Sequence, residues 1–224
     1  MLNTVYRLVE PRRIESEFSD IDVNGDSVLV RPTHLSICNA DQRYFQGTRP
    51  PEVLKKKLPM ALIHEAIGKV IYDPAGDFEP GQKVVMVPNT PMEEDDIVAE
   101  NYLRSSKFRA SGFDGFMQDI VAMRRDRVVA VPDGIDDYVA AFTELVSVSY
   151  HAINRFDRKA HGRRNVLGVW GDGNLAFITS LLLKKRFPES KVYIFGKHEY
   201  KMDDFAFADE TFFIDAIPED LRID

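Results

Sequence analysis

The sequence has a single cysteine among its 224 residues, which excludes an internal disulfide and a zinc site built from four cysteines. It also lacks an excess of basic residues, since 29 lysines and arginines face 36 acidic residues and the formal net charge is -7. General nucleic-acid binding relies on a basic surface, so we expect no nucleic-acid partner. No apolar run approaches the roughly 20 residues of a membrane span, and no secretory signal opens the chain. The sequence therefore predicts a globular cytoplasmic protein without a membrane partner.

A glycine-containing turn near residue 170 is the most informative feature of the chain. Asn165 and the apolar residues 166–170 lead into it, and a second apolar run, residues 178–183, follows it. The turn fits the G-x-G-x-x-G/A fingerprint of a dinucleotide-binding βαβ unit, in which a helix N-terminus receives the pyrophosphate. The β-rich residues 191–195 follow at the spacing of such a unit. We predict nucleotide binding, rather than a purely structural turn, by Gly171, Gly173, Asn174, Leu175 and Ala176.

The residues after the second predicted strand indicate which dinucleotide is bound. An NAD site favours Asp or Glu at this point, to hold the ribose 2′-hydroxyl. This chain has Gly196, Lys197 and His198 there, with Lys201 close by. Cations without a carboxylate favour the 2′-phosphate of NADP, so we predict NADPH as the cofactor. The alternative is that Lys197 and Lys201 are ordinary solvated residues.

Short β segments fill the part of the chain before residue 135. Turn residues and runs of β-branched residues predict a turn at Asn24 and Gly25 and a strand that ends at Pro32. We predict an exposed loop or short helix at residues 49–57 and a solvated excursion at the acidic residues 90–109. The predicted strands are residues 4–9, 28–32, 62–72, 83–87, 116–122 and 127–131.

After residue 135 the sequence pattern changes from short β segments to a helical pattern. Residues 136–156 have a broadly apolar helical face, and residues 211–214 indicate a third strand after the glycine unit. We predict a β-rich domain at residues 1–135 and half of a dinucleotide-binding domain at residues 136–224. Because a doubly wound sheet has two βαβαβ halves, we expect the chain to be truncated.

Three potential metal ligands, Cys38, His64 and Glu144, lie where otherwise regular segments become polar. A catalytic zinc takes three protein ligands and keeps a fourth position open. Sequence spacing alone does not bring these three side chains together. From spacing only, a small buried cysteine and an ordinary hydrogen-bonded histidine are the more frequent alternatives.

Several motifs together resemble the zinc-dependent medium-chain alcohol dehydrogenases. They are Cys38-x-x-Asp41, His64-Glu65 followed by Ala66-Ile67-Gly68, Gly115-Phe116 and the turn at Gly171. Residues 143–152 are similar to the sorbitol-dehydrogenase branch, in which a glutamate stands at the position of the third cysteine ligand. The resemblance implies an α/β chain in which a GroES-like β-barrel catalytic domain precedes the first half of a Rossmann domain.

Longer strings resemble one branch of this family, the ribulose-5-phosphate reductases of teichoic-acid synthesis. The strings are residues 31–32, 37–38, 40–44, 57–60, 62–65, 83–89, 100–102, 111–112, 114–117 and 170–175. This resemblance implies NADPH-dependent, zinc-dependent reduction of D-ribulose 5-phosphate to D-ribitol 5-phosphate, for CDP-ribitol and teichoic-acid synthesis. It also implies a homodimer and a complex with a ribitol-5-phosphate cytidylyltransferase.

The resemblance also assigns roles by position. Cys38 and His64 become zinc ligands, and either Glu65 or Glu144 becomes the third. Asp41 becomes the acceptor for the second ring N–H of His64. One catalytic zinc and no structural zinc is implied, because the four-cysteine lobe of the family is absent.

The phosphate of such a substrate requires cations near the metal site. Arg43 is the first candidate because it follows Cys38 closely, and Tyr44 lies beside it. Arg49 and residues 55–57 are further candidates. The alternative is that these are solvated charges.

Two other functions stay open. One is an NAD-dependent polyol or polyol-phosphate dehydrogenase, and the other is an inactive truncated fragment that acts as an interaction module. The proton relay is open as well, because Ala40 stands where many alcohol dehydrogenases carry a Ser or Thr. We expect a zinc-bound water together with Glu65, or a hydroxyl of the substrate, to relay the proton instead.

Overall fold

The computed structural model describes residues 1–22 and 26–224, and the turn predicted at Asn24 and Gly25 lies outside them. The chain divides into two compact units, Met1–Glu144 and Leu145–Asp224, whereas the sequence placed the boundary after residue 135. In the described part of the chain, no helix is long and apolar enough to cross a membrane.

Short strands dominate the first unit, and short helices interrupt them. The strands are β1 (Leu2–Glu10), β2 (Arg13–Asp20), β3 (Val28–Ser36), β4 (Met60–Ala61), β5 (Glu65–Tyr72), β6 (Lys83–Met86), β7 (Asn89–Thr90), β8 (Lys107–Phe108), β9 (Val121–Met123) and β10 (Val128–Ala130). The helices are α1 (Asn39–Phe45), α2 (Pro51–Lys57) and α3 (Asp137–Ala141), and α4 (Thr143–Lys159) begins at the end of the unit. Residues 49–57 thus contain the predicted short helix.

An antiparallel sheet with the order β10-β6-β5-β3-β9 forms the centre of the first unit. A second sheet has the order β2-β1-β4. The two-residue strands β7 and β8 pair with each other at the two ends of the predicted excursion of residues 90–109. The first residues of β5 are buried without alternation, as expected for a strand covered on both faces. The core between the sheets includes Leu8, Val30, Ala66, Val84 and Phe116.

Three predicted strands have different limits in the structure. β3 continues past Pro32 to Ser36, because a bulge between Pro32 and His34 accommodates a residue without an N–H. The strand predicted at residues 62–72 begins only at Glu65. Of residues 116–122, only the end joins the sheet as β9, because Phe116 N–H bonds instead to the carbonyl of Ile63.

The helix predicted at residues 136–156 is two helices. Asp136 caps α3 by accepting bonds from the N–H groups of Tyr138 and Val139. The helix stops at Phe142, whose ψ of 7° departs from helical values. The hydroxyl of Thr143 donates to the carbonyl of Ala140 across this break, and α4 starts there.

The second unit has the predicted strand, glycine turn, helix and strand in sequence. Its elements are β11 (Val166–Trp170), α5 (Asn174–Arg186), β12 (Lys191–Gly196), α6 (Glu199–Met202) and β13 (Glu210–Phe213). The three strands are parallel in the order β11-β12-β13, which is the order of one half of a doubly wound sheet. Leu167, Leu183, Val192, Ile194 and Phe205 form its core. The predicted α/β fold class is confirmed.

Candidate functional site

Cys38 begins α1, and a capping box fixes it there. The residue is the N-cap of the helix, with φ of -90° and ψ of 172°. Its backbone N–H donates to Asp41 Oδ2 over 3.1 Å, and the Asp41 N–H donates to Cys38 Sγ over 3.5 Å. Reciprocal bonds of this kind satisfy donors that the start of a helix leaves unpaired. The position of the thiol therefore follows from the start of the helix.

The backbone directly before His64 is strained. Ile63 has a φ of 72°, a left-handed conformation that a β-branched residue rarely adopts. Two hydrogen bonds hold it: the Ile63 N–H donates to Asp41 Oδ1 over 2.9 Å, and the Phe116 N–H donates to the Ile63 carbonyl over 2.7 Å. Such strain persists only where the surroundings enforce it, and it clusters at functional sites. It sets the direction from which His64 and Glu65 enter β5.

Asp41 has a different role from the one predicted. Its carboxylate accepts bonds from the Cys38 N–H, from the Cys38 thiol over 3.0 Å, and from the Ile63 N–H. Among the hydrogen bonds of the described residues, none joins Asp41 to His64, because both carboxylate oxygens face the backbone of α1 and residue 63. Asp41 therefore ties Cys38 to the segment that carries His64, and it does not orient the imidazole directly.

Cys38, His64 and Glu65 bring one ligand atom each to the same place. Cys38 Sγ lies 4.0 Å from His64 Nδ1, and His64 Nε2 lies 3.9 Å from Glu65 Oε1. The three ligand atoms all lie within 4.8 Å of one another. Zinc binds sulfur, nitrogen and oxygen at about 2.0–2.3 Å, so ligands of one ion lie roughly 3.5 Å apart. Small side-chain movements would bring this group to that geometry.

Glu65 gives an independent reason to expect a cation. Its side chain is 2% exposed, and Oε2 is buried without a hydrogen-bond partner in the described structure. Burial raises the pKa of Glu65, while a hydrogen bond from the Ser36 side chain and the nearby His64 oppose that rise. A buried carboxylate oxygen without a partner is costly. The residues therefore fit a bound metal ion.

The thiol of Cys38 is held in its protonated form. Burial raises the pKa of Cys38 to about 12, and the hydrogen bond to Asp41 contributes. Metals bind the thiolate, so an incoming zinc must displace this proton.

Glu144 lies in the first turn of α4 and is half-buried. Burial, together with the charge of Glu65, raises the pKa of Glu144 to about 7. A carboxyl group with such a pKa can hold a proton at neutral pH. The group of converging ligand atoms includes Glu65 and does not include Glu144.

The two residues predicted to bind the substrate face different ways. Arg43 is exposed, and its carbonyl accepts a bond from the Thr48 N–H. Tyr44 is buried in the core of the first unit. The guanidinium of Arg49 packs over the Tyr44 ring, 4.9 Å from the ring centre.

The glycine turn has the backbone that the fingerprint requires. Gly171 has a φ of 138°, and a side chain there would contact Ala176 of α5. Gly173 is the N-cap of α5 and has open space around its Cα, and no side chain caps the helix. Asn174 and Leu175, the first residues of α5, are exposed. The first N–H groups of α5 can therefore receive phosphate.

A cavity of about 340 Å³ lies beside this turn. Its lining includes Trp170, Asp172, Phe195, Lys197 and Ile214. Lys197 is exposed, as the NADP prediction requires of a phosphate ligand. The predicted Lys201 is only half-exposed, and its amine lies 5.7 Å from the ring centre of Tyr200.

A carboxylate does lie at the end of β12, although none of residues 196–198 carries one. Asp172, from the glycine turn, accepts bonds from the N–H groups of Lys197 and His198 over 2.7 and 2.9 Å. The His198 ring lies 2.9 Å from the same oxygen. The Asp172 carboxylate thus joins the turn to the loop after β12, and hydrogen bonds from that loop stabilise its negative charge.

Asp172 gives a pH-dependent prediction. Although burial opposes ionisation, the N–H groups of Lys197 and His198 lower the pKa of Asp172 to about 2. The folded state therefore binds fewer protons than the unfolded state, and this stabilisation is lost as the pH falls from about 4 through 2. We expect the melting temperature of Asp172→Asn to lie below that of the wild type at pH 6 and to approach it at pH 2. A difference that stays constant over this range would contradict the assignment.

Sequence reasoning missed three residues of these sites. Ser36 reaches Glu65 because the two are cross-strand partners of β3 and β5, and no sequence signal gives that register. The strain at Ile63 has no sequence signal either. Asp172 lies inside the glycine motif, but its contact with residues 197 and 198 arises only from the parallel pairing of β11 and β12.

Comparison with protein families gives one match to a family model. The alcohol dehydrogenase GroES-like domain matches residues 24–133. This range contains Cys38, His64 and Glu65.

Comparison with individual proteins gives matches over the whole chain. The ribulose-5-phosphate reductase of Bacillus spizizenii is 60% identical over 224 residues, which are 100% of this chain and 66% of that protein. Ribulose-5-phosphate reductase 1 of Staphylococcus aureus is 55% identical with the same coverage. The crystal structure of S. aureus TarJ in complex with NADPH superposes with a TM-score of 0.83 and 49% identity, over 100% of this chain and 63% of that one. The chain therefore spans about two thirds of the length of these relatives.

Proposed function

Since the chain belongs to the medium-chain alcohol dehydrogenase family, we propose that it carries the metal and nucleotide sites of an NADPH-dependent, zinc-dependent ribulose-5-phosphate reductase. The reaction is the reduction of D-ribulose 5-phosphate to D-ribitol 5-phosphate, the precursor of CDP-ribitol for teichoic acid. The observation that carries the proposal is the convergence of Cys38, His64 and Glu65, with an unpartnered carboxylate oxygen on Glu65. The similarity to the two named reductases supports the substrate, and the similarity to TarJ supports NADPH.

In the first unit, different residues bind the metal, position its ligands and donate the proton at the reacting carbonyl. When bound, zinc supplies a Lewis acid for the carbonyl and NADPH supplies the hydride. Cys38, His64 and Glu65 hold the metal, and Asp41 fixes Cys38 relative to His64. Glu144 holds a proton near neutral pH beside Glu65, which suits it to protonate the product alkoxide in place of the hydroxyl relay that Ala40 lacks.

The residues of the second unit bind the dinucleotide. Gly171 and Gly173 leave room for the pyrophosphate at the start of α5. Asp172 fixes the loop after β12, and Lys197 on that loop is the cation that we assign to the 2′-phosphate. Lys201 is a weaker candidate because its amine packs on Tyr200.

Compartment and assembly are further parts of the proposal. A single unpaired cysteine suits a reducing compartment, so we place the enzyme in the cytoplasm. We also propose a homodimer and a complex with a ribitol-5-phosphate cytidylyltransferase. Analytical ultracentrifugation of the chain alone and with the cytidylyltransferase tests both.

The direct test compares the affinities of NADPH and NADH for the 224-residue chain. It also assays NADPH oxidation, with zinc and ribulose 5-phosphate supplied, by this chain and by one that carries the C-terminal third of the relatives. We expect at least about tenfold tighter binding of NADPH than of NADH, because Lys197 has no 2′-phosphate to bind in NADH, and we expect turnover by the longer chain. A preference for NADH and for polyol oxidation would favour the polyol dehydrogenase alternative. Zinc binding with no turnover on any of these substrates would favour the interaction module.

A further inference from the structure

A pair of cations, Arg49 and Lys57, lies in the first unit, which also carries the metal-binding residues. We call it the Arg49–Lys57 cluster. Arg49 stacks on the ring of Tyr44, and the Lys57 amine donates to the carbonyl and the hydroxyl of Ser111 over 2.9 and 2.6 Å. The tyrosine and the serine thus hold the two cations in place.

The cluster has cations and no anion. Nε of Arg49 is buried and has no hydrogen-bond partner. Among the salt bridges of the described residues, none includes Arg49 or Lys57. Burial lowers the pKa of Lys57, and the positive charges of Lys56 and Arg49 lower it further. Two partly desolvated cations that repel each other are costly without an anion between them.

Two short connections join the cluster to the metal ligands. Tyr44 lies on α1, whose N-cap is Cys38, and the helical rise between them is about 9 Å. On the other side, the Ser111 N–H donates to the Phe108 carbonyl over 3.2 Å, and the Phe108 ring packs edge-on against His64, 5.2 Å between centres. The elements that carry the metal ligands therefore also contact the residues that hold the two cations.

We propose that the Arg49–Lys57 cluster binds the phosphate group of the pentulose phosphate while its carbonyl end reaches Cys38, His64 and Glu65. The assignment rests on the proposed function for the identity of the sugar. It replaces Arg43 as the predicted phosphate ligand, because Arg43 is exposed on the last turn of α1. It also gives a physical reason for selecting phosphorylated over free pentuloses, since only the phosphate supplies an anion for the two partly buried cations.

Calorimetric titration of the zinc-loaded 224-residue chain tests the site without requiring turnover. The ligands are ribitol 5-phosphate, ribitol and inorganic phosphate. We expect Arg49→Gln and Lys57→Gln each to weaken ribitol 5-phosphate binding about tenfold or more, and inorganic phosphate binding in parallel. The matched controls Arg43→Gln and Lys56→Gln alter exposed cations next to the site and should change affinity less than about twofold. Arg49→Lys, which keeps the charge and loses Nε, should fall between.

Other outcomes would overturn the assignment. Equal affinity of wild type, Arg49→Gln and Lys57→Gln for ribitol 5-phosphate would refute it, provided circular dichroism shows both variants folded. If Arg49→Gln does not fold, the affinities of Lys57→Gln and Arg49→Lys for ribitol 5-phosphate decide whether the assignment holds. Wild type that binds neither phosphate ligand would refute it as well. A failure of the proposed function looks different: the cluster would bind inorganic phosphate as expected, and neither this chain nor one that carries the C-terminal third of the relatives would oxidise NADPH with ribulose 5-phosphate.

Discussion

Replacement of Cys38 with alanine is expected to reduce bound zinc from about one ion per chain to near zero, and to abolish turnover with it. The thiol is one of the three converging ligands, and a catalytic zinc is held by three protein ligands, of which the variant keeps two. We expect zinc affinity to fall at least about 100-fold. Replacing a residue that only hydrogen-bonds to a metal ligand already lowers metal affinity about 10–100-fold. Competition with a chromophoric chelator measures this directly.

The pH dependence of zinc binding adds a signature specific to the thiol. Because the pKa of Cys38 is raised to about 12, the metal competes with a proton at every ordinary pH. Affinity should therefore rise about tenfold per pH unit in the wild type, and this contribution should be absent from Cys38→Ala. Asn39→Ala, an exposed neighbour, is the control and should retain zinc. Wild-type zinc affinity in Cys38→Ala would contradict the metal site.

Replacement of Gly115 with alanine is expected to destabilise the first unit by about 3 kcal/mol. A Cβ at this position would lie well inside van der Waals contact with the carbonyl oxygens of Leu62 and Ile63. Both are backbone atoms directly before His64, and they cannot rotate away as a side chain can. Relief of the overlap would move Ile63 from its strained conformation and carry His64 with it. Zinc affinity should therefore fall together with stability.

Urea unfolding followed by far-UV circular dichroism measures the first effect, and chelator competition the second. Gly162→Ala is the matched control, because a Cβ there has open space and the residue lies in the second unit. We expect a change of less than about 0.5 kcal/mol for it. A Gly115→Ala variant with wild-type stability and zinc affinity would show that the segment before His64 is not held as described.

The local pattern of the sequence was enough to predict the order of strands and helix in the second unit. Strand, glycine turn, helix and strand follow one another within 31 residues, from Val166 to Gly196, so their pattern is visible without tertiary contacts. The strands that were wrong depended on partners far away in the chain. β3 continues through Pro32 because of a bulge against β5. Residues 116–120 do not extend β9, because Phe116 bonds to Ile63 and Gln118 pairs with Val5 of β1.

For the candidate site, the sequence by itself determined which side chains are available and which chemistry they can perform. One cysteine excludes a four-cysteine zinc site, the glycine turn predicts a dinucleotide, and the resemblance carried by the His-Glu pair implies one zinc. Only the tertiary structure decided that Glu65 converges with Cys38 and His64, that Asp41 bonds to Ile63, and that Nε of Arg49 is buried while Arg43 is exposed. The physical reason is that residue identity fixes the donors and charges. Distances between segments far apart in sequence depend instead on strand register, on one strained backbone angle and on burial, which no local pattern encodes.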